Sequence, residues 1–430
     1  MSKYDLAIIG AGWAGYSAAL EAQKNNLKIV LIEQAQIGGT CLNRGCIPTK
    51  ALLKSAKILS LARKSSKFGV LINNLSFDFI KMQERKSVLV AQLASGMQAA
   101  LKNIDFVNGP ARFISPECLE VSGRNFEAKN FLIATGAQPS QLPNLAFDGK
   151  RILSSDNMLE LAEIPESLLI IGGGVIGCEF ATLFSTLGSV VTVVEKMPQL
   201  LPGMDQEAAK KLQVSFKKRN ISVNVGADAF TYLSKDFSKI LLCVGRSANT
   251  QGLGLDKIGV SIDRSRIITD EYLKSSLPNI YAAGDCASKI MLAHYASYQG
   301  KLAVANMLNP GQLNSTKIHN VPGCIFTDPE IGMVGVSEEC AKENNIKYSV
   351  HRFDFLASGM ARILDETEGF IKIVTEQDTG RVMGGVIMGP SATELISILT
   401  LAVSNNLTVK QFKETIFPHP SLSESITEAF

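Results

Sequence analysis

Cys41 and Cys46 are the residues of this chain best suited to chemistry. They lie in Gly38-Gly39-Thr40-Cys41-Leu42-Asn43-Arg44-Gly45-Cys46-Ile47-Pro48-Thr49-Lys50, with four residues between them. Glycines precede the first cysteine and split the pair. Pro48 and the apolar, helix-prone run Ala51-Leu52-Leu53 follow. Two thiols on the first turn of a helix stand near enough to close a small disulfide ring. A helix N-terminus favours a thiolate, which can attack a disulfide or donate charge to a neighbouring ring. The competing reading is a strained loop holding two buried cysteines. A metal centre is a poor alternative, because no paired histidines or second cysteine pair at zinc-like spacing accompany these thiols. His294, His319 and His351 are scattered, and the last two read as surface or satisfied core residues.

The elements that must position this pair begin at the N-terminus. Residues 4–9 form a short apolar strand, and Gly10-Ala11-Gly12-Trp13-Ala14-Gly15 opens a helix over 14–24. A strand over 27–32 then ends at Glu33. In such a unit Gly10 permits the tight turn, Gly12 lets a pyrophosphate approach the backbone, and Gly15 lets helix and strand pack closely. Glu33 is placed to bind a ribose hydroxyl. The pattern recurs with a strand at 168–171, Gly172-Gly173-Gly174-Val175-Ile176-Gly177, a helix to 187 and a strand to Glu195. In both units 23 positions separate the first glycine from the closing acid, Gly10 from Glu33 and Gly172 from Glu195. Two units imply two dinucleotides, with Gly172, Gly174 and Gly177 serving the second. Glu195 would accept a 2'-hydroxyl and repel a 2'-phosphate, favouring NAD over NADP, although Lys196 weakens that preference.

The remainder sorts into further elements. Helices are expected over 51–64 and 77–102, small antiparallel strands over 106–113 and 118–121, and a buried strand over 130–134 running into Thr135-Gly136. Residues 205–219 read as a charged amphipathic helix capped by Asp205, and 280–285 as a strand entering a glycine–aspartate turn. After Pro310 short strands alternate with helices and no glycine-rich nucleotide loop occurs, as in an α+β domain. Its last segment holds His419 and Glu424, five apart, with proline on both sides of the histidine. Taken alone, that segment is an ordinary surface turn.

Composition bounds the function. The 430 residues are 46% hydrophobic and 19% charged, a globular profile long enough for several domains. A net charge of +3 without a basic tract argues against nucleic acid as the main partner. Eight cysteines are too sparse for a secreted disulfide scaffold. No signal segment or membrane span is read, so the expected compartment is the cytoplasm, where a disulfide would be catalytic and transient.

With these pieces in view the chain resembles the flavin-dependent pyridine nucleotide–disulfide oxidoreductases, and within them the dihydrolipoamide dehydrogenase branch. The likeness covers nearly the whole chain, through residues 38–50, 132–136, 172–179, 281–285, 292–294, 326–330, 369–372 and 389–394. It implies an α/β and α+β architecture. An FAD-binding domain with the redox disulfide would occupy 1–145, a shortened NAD-binding domain 146–272, a return to the FAD domain 273–312, and a dimerisation domain 313–430. It implies that Cys41 exchanges with substrate thiols and that Cys46 is the charge-transfer thiolate. It further implies that Lys50 pairs with Glu179 near the flavin and that Asp285 contacts the ribityl chain. Thr40, Lys50, Thr135 and Gly136 join the cofactor contacts. His419 becomes the base and Glu424 the acid orienting it, acting on the opposite subunit of a homodimer, with a cis peptide before Pro420. The implied reaction is oxidation of dihydrolipoamide with reduction of NAD, serving lipoyl domains of 2-oxoacid dehydrogenase complexes. The alternatives are an NAD(P)H-dependent reductase of another small disulfide and a non-catalytic flavoprotein subunit.

One departure from the pattern stands out. Between Glu195 and Gly245-Arg246 the chain is short, and residues 225–227 pass through 228–239 almost directly to a strand at 240–244. A strand hairpin usual in the nicotinamide domain is missing, which puts that domain's edge in question.

Overall fold

The computed structural model describes residues 4–316 and 320–430, so His319 lies outside the described residues. Tyr4–Ile9 and Ile29–Glu33 are apolar almost throughout, as strands covered on both faces must be. They pair in parallel, Ile8 opposite Leu31, and Ile8 also faces Leu132 of the Arg124–Ile133 strand. Asp105–Asn108 adds a parallel strand beside Ile29–Glu33, and Ile280–Ala282 one beside Arg124–Ile133. An antiparallel meander, Ala111–Ser115, Cys118–Val121 and the start of Arg124–Ile133, completes this sheet. Helix α1, Trp13–Lys24, packs its alanine face against the Ala293–Leu308 helix over Leu6, Ile8 and Leu31.

The expectation of one strand over 106–113 is corrected here. Gly109, at φ +144°, and Pro110 break it. Its first half joins the parallel edge and its second half the meander.

A second sheet is parallel throughout, in the order Ser222–Val225, Val190–Glu195, Ser167–Ile171, Lys239–Leu242, Ile152–Leu153. Between its strands Ser222–Val225 and Lys239–Leu242 there is one turn of 3-10 helix, Ala229–Tyr232, whose first turn is held by the Asp228 carboxylate accepting from the Phe230 N–H. Where a hairpin was expected to be missing, Phe237 turns inward against Leu145, Leu169, Ile171 and Leu242. The connection into Lys239–Leu242 therefore packs on an apolar cluster of its own.

The C-terminal part is an antiparallel five-stranded sheet, Gly323–Ile325, Glu330–Gly335, Val382–Gly389, Phe370–Glu376 and Tyr348–Asp354 in spatial order, with the Ala392–Ser404 helix against it. It is joined to the second sheet by an ion cluster. Lys372, almost fully buried, reaches Asp205 at 2.7 Å, and the other carboxylate oxygen of Asp205 accepts the Ala208 N–H at the start of the Gln206–Lys218 helix. Among the described residues no helix is long and apolar enough to cross a membrane.

Candidate active site

The cysteine stretch folds as two helices rather than one. Helix α2 spans Gly39–Arg44 and helix α3 spans Cys46–Arg63, so Cys41 lies in the first and Cys46 opens the second. The expectation that both thiols share one first turn fails at Gly45, whose backbone sits at φ −147°, ψ −114°, outside helical values. A side chain there would press to 2.9 Å from the Thr40 carbonyl oxygen. Pro48 falls in the first turn of α3, where its missing N–H has no helical partner to lose. Neither helix starts with a side-chain cap, and at α2 the Gly38 and Gly39 N–H groups donate instead to the Ala11 and Gln36 carbonyls.

The two thiols are half-buried, and they interact unequally. The Cys46 thiol is pulled down to about 7, chiefly by a hydrogen bond from Cys41 and further by the nearby Lys50 charge, against the opposing effect of burial. Cys41 moves the other way, pushed up because its proton is shared toward Cys46 and because it is buried. Cys46 is thus the thiolate of the pair and Cys41 its donor. Burial instead pushes Cys243 up to about 12 and Cys286 up to about 11, so neither competes with Cys46 as a thiolate.

Lys50, one turn along α3 from Cys46, donates to both Glu179 oxygens at 2.8 and 2.7 Å. Glu179 is buried on the Val175–Leu187 helix of the second nucleotide unit. Its Oε1 also accepts the Phe326 N–H at 3.0 Å, and the Lys50 ammonium stands 4.8 Å from the Phe326 ring centroid. One ion pair therefore joins both nucleotide units and the C-terminal sheet at the thiols.

A cavity of about 2050 Å³ runs from the Gly10 turn, past Cys41, Cys46, Lys50 and Glu179, to the Gly172 turn and Glu195. Thr40, Thr135, Gly136 and Asp285 also line it. Gly10 takes φ +101° and Gly172 φ +111°, and a side chain at either would stand 2.4 Å from a carbonyl oxygen of the neighbouring strand end. Gly15 and Gly177 let each helix rest on the carbonyl of its own turn, at 1.8 and 2.0 Å from where a Cβ would sit. Neither α1 nor the Val175–Leu187 helix carries a side-chain cap, so their first N–H groups are free for an anion. This donor set fits two dinucleotide pyrophosphates.

Both closing acids have a task that the sequence did not suggest. Glu33 accepts the N–H of Ala11 at 2.7 Å and of Ala35 at 2.8 Å, and Glu195 accepts those of Gly173 and Met197, both at 2.7 Å. Each carboxylate pins its glycine turn and keeps further lone pairs for a ribose hydroxyl. Asp285 is mostly buried, which raises its carboxyl, while Arg246 opposes the shift. Arg246 also donates to the Ala137 carbonyl, crossing between the two nucleotide units. In the sequence only its place after Gly245 marks Arg246.

His419 and Glu424 form a dyad. His419 Nδ1 lies 2.8 Å from Glu424 Oε2, and Oε1 of the acid accepts the Ser421 N–H at 3.0 Å. These contacts hold the Glu424 carboxyl below its ordinary value. The peptide before Pro420 is cis. The His419 side chain is 81% exposed and is not part of the cavity wall, so one chain does not bring this dyad to its own cysteines.

The sequence signature of the pyridine nucleotide-disulphide oxidoreductases spans residues 4–300, and that of their dimerisation domain spans 321–430. This chain belongs to that family. Like its fold and cysteine pair, the chain's chemistry is that of an FAD- and NAD-dependent disulfide oxidoreductase. It is 38% identical over 464 residues to a dihydrolipoyl dehydrogenase of Bacillus subtilis, covering 100% of this chain and 97% of that protein. It is 38% identical over 447 residues to one of Chlamydia muridarum, covering 99% and 96%. The structure matches LpdA from Mycobacterium tuberculosis with a TM-score of 0.92 at 29% identity, over 99% of this chain and 98% of that one. It matches the HOCl-induced flavoprotein disulfide reductase RclA from Escherichia coli with a TM-score of 0.89 at 28% identity, over 99% of each.

Proposed function

We propose that this protein oxidises dihydrolipoamide to lipoamide and reduces NAD, acting on lipoyl domains of 2-oxoacid dehydrogenase complexes as a homodimer. The observation that carries this reading is the His419–Glu424 dyad. A base held by an acid is what a dithiol substrate requires, since a thiol must lose its proton before it attacks. With Nδ1 donating to Glu424, Nε2 keeps its lone pair and faces outward as the proton acceptor. In the homodimer, His419 of the partner subunit would serve the cysteines of this chain. The exposure of His419 and its absence from the cavity wall of its own chain support that arrangement.

In the forward direction His419 takes a proton from one substrate thiol. The thiolate attacks Cys41 of the oxidised pair, a substrate–Cys41 disulfide forms, and Cys46 is released as the thiolate that its neighbours favour. The second substrate thiol loses its proton and displaces Cys41, closing the substrate disulfide and leaving a reduced pair. Lys50 holds positive charge beside Cys46, and Glu179 fixes its position. Bound FAD supplies two-electron redox chemistry, and NAD the hydride exchange.

The test is NADH formation from dihydrolipoamide by the FAD-loaded dimer. Turnover with dihydrolipoamide and a much slower rate with glutathione are expected. Absence of turnover with dihydrolipoamide would sink this reading.

A further inference from the structure

The single tryptophan of the chain opens α1 at the cofactor turn. The turn before α1 and the turn before α2 are locked together. The Gly38 N–H donates to the Ala11 carbonyl at 2.8 Å, and a Cβ on Gly39 would stand 2.8 Å from the Gly12 Cα. Trp13 and Cys41, which follow these two turns, both line the cavity. The Trp13 Nε1–H is buried, yet it has no hydrogen-bond partner among the described residues. A buried indole donor normally finds one. Tyr16 packs against the indole edge-on, with ring centroids 6.2 Å apart, and holds it in place.

Cys41 is the neighbour with a use for that donor. Cys46 and burial oppose its ionisation, whereas Trp13 and the Cys46 backbone favour it. The charged groups Lys50 and Glu179 act on Cys46. The indole contact falls short of a hydrogen bond while Cys41 is a neutral thiol donating to Cys46.

We propose that the Trp13 indole N–H closes onto the Cys41 sulfur when it becomes a thiolate, making Trp13 a catalytic residue of thiol–disulfide exchange. The inference rests on the dihydrolipoamide reading for the step it serves. In that step the second substrate thiolate forms a bond to the first substrate sulfur, and the bond from that sulfur to Cys41 breaks. Cys41 leaves with the electron pair and later takes a proton. A better-stabilised leaving thiolate departs faster.

The experiment uses holoenzyme carrying Cys46→Ser, which leaves Cys41 alone in the pair. The pH dependence of iodoacetamide alkylation at Cys41, read by peptide mass mapping, gives its ionisation midpoint. Adding Trp13→Phe removes the donor and keeps an aromatic ring, and the midpoint should rise by about one pH unit. In the otherwise native enzyme, Trp13→Phe should lower kcat for dihydrolipoamide roughly tenfold with little change in KM. An unmoved alkylation midpoint overturns the inference. Should Trp13→Phe lose its flavin, the emission of the sole tryptophan decides. It must titrate with pH in Cys46→Ser and stay flat in Cys41→Ser/Cys46→Ser, and equal traces overturn the inference. Alkylation reads Cys41 without substrate, so failure of the dihydrolipoamide reading would leave a shifted midpoint visible.

Discussion

Lys50 and Glu179 should move the ionisation of Cys46 in opposite directions. Lys50 favours the Cys46 thiolate and Glu179 opposes it, although the two side chains are bound to each other at 2.7 Å. The Cys46 midpoint lies at about 7, so at pH 7 about half of the reduced enzyme carries the thiolate. Lys50→Met deletes the favourable charge at a partly buried site, where one charge is worth about one pH unit. The midpoint then moves to about one unit higher, and the thiolate fraction at pH 7 falls to roughly one-tenth. Glu179→Gln removes the opposing charge but keeps an oxygen that can accept from Lys50 and from the Phe326 N–H. Its midpoint should fall below that of the native enzyme, and thiolate should persist into mild acid. The assay is a pH titration of the dithiol-reduced holoenzyme, following the long-wavelength charge-transfer absorbance. The signs follow from charge alone: a lost cation raises a thiol midpoint and a lost anion lowers it. Shifts of the same sign in both variants, or an unmoved midpoint in Lys50→Met, would refute the assignment of Lys50 as the group that tunes Cys46.

Three further outcomes are expected. His419→Gln should slow dihydrolipoamide oxidation by roughly 10²- to 10⁴-fold, with the charge-transfer band of the reduced enzyme unchanged, as checked by stopped-flow reduction. Gly10→Ala forces a Cβ to within 2.4 Å of the Ala134 carbonyl oxygen at a positive φ, so the purified protein should lose most of its flavin, measured by its visible absorbance. Lys372→Met leaves the buried Asp205 without its cation. It should destabilise the protein by about 3 kcal/mol, read as a lower thermal midpoint in calorimetry.

What was legible in the sequence is what depends on near neighbours. Two glycine units of equal span, an acid closing each, and a histidine five residues before a glutamate all reappear as contacts, because short loops leave the chain little choice. Legibility fails where one residue redirects the backbone. Gly45 divides the cysteine stretch into two helices where a single first turn is expected, and Gly109-Pro110 sends one apolar stretch into two different pairings. It fails again for partners far apart in sequence. The Asp205 cap was legible, but nothing local to Lys372 indicates that the other oxygen of that carboxylate will bind its ammonium. Trp13 carries no signal of its own in the sequence, since the approach of its turn to Gly38-Gly39 exists only after folding.

The placement of charge explains why the cysteines sit where the domains meet. A lone cation beside a thiolate inside a protein would be driven toward neutrality by the loss of water. Glu179 keeps Lys50 in place, but a carboxylate on the same helix would also cancel much of the field at the sulfur. Glu179 instead comes from a helix of the other nucleotide unit, and the Phe326 N–H from the C-terminal sheet shares its charge. The carboxylate is thus stabilised in part by a backbone donor from outside both helices. Lys50 remains part-exposed toward the cavity, and its effect on Cys46 survives the pairing. A reactive thiolate is obtained from an arrangement that no single domain could build, so relative movement of the three parts would alter the Cys46 midpoint before it altered any covalent chemistry.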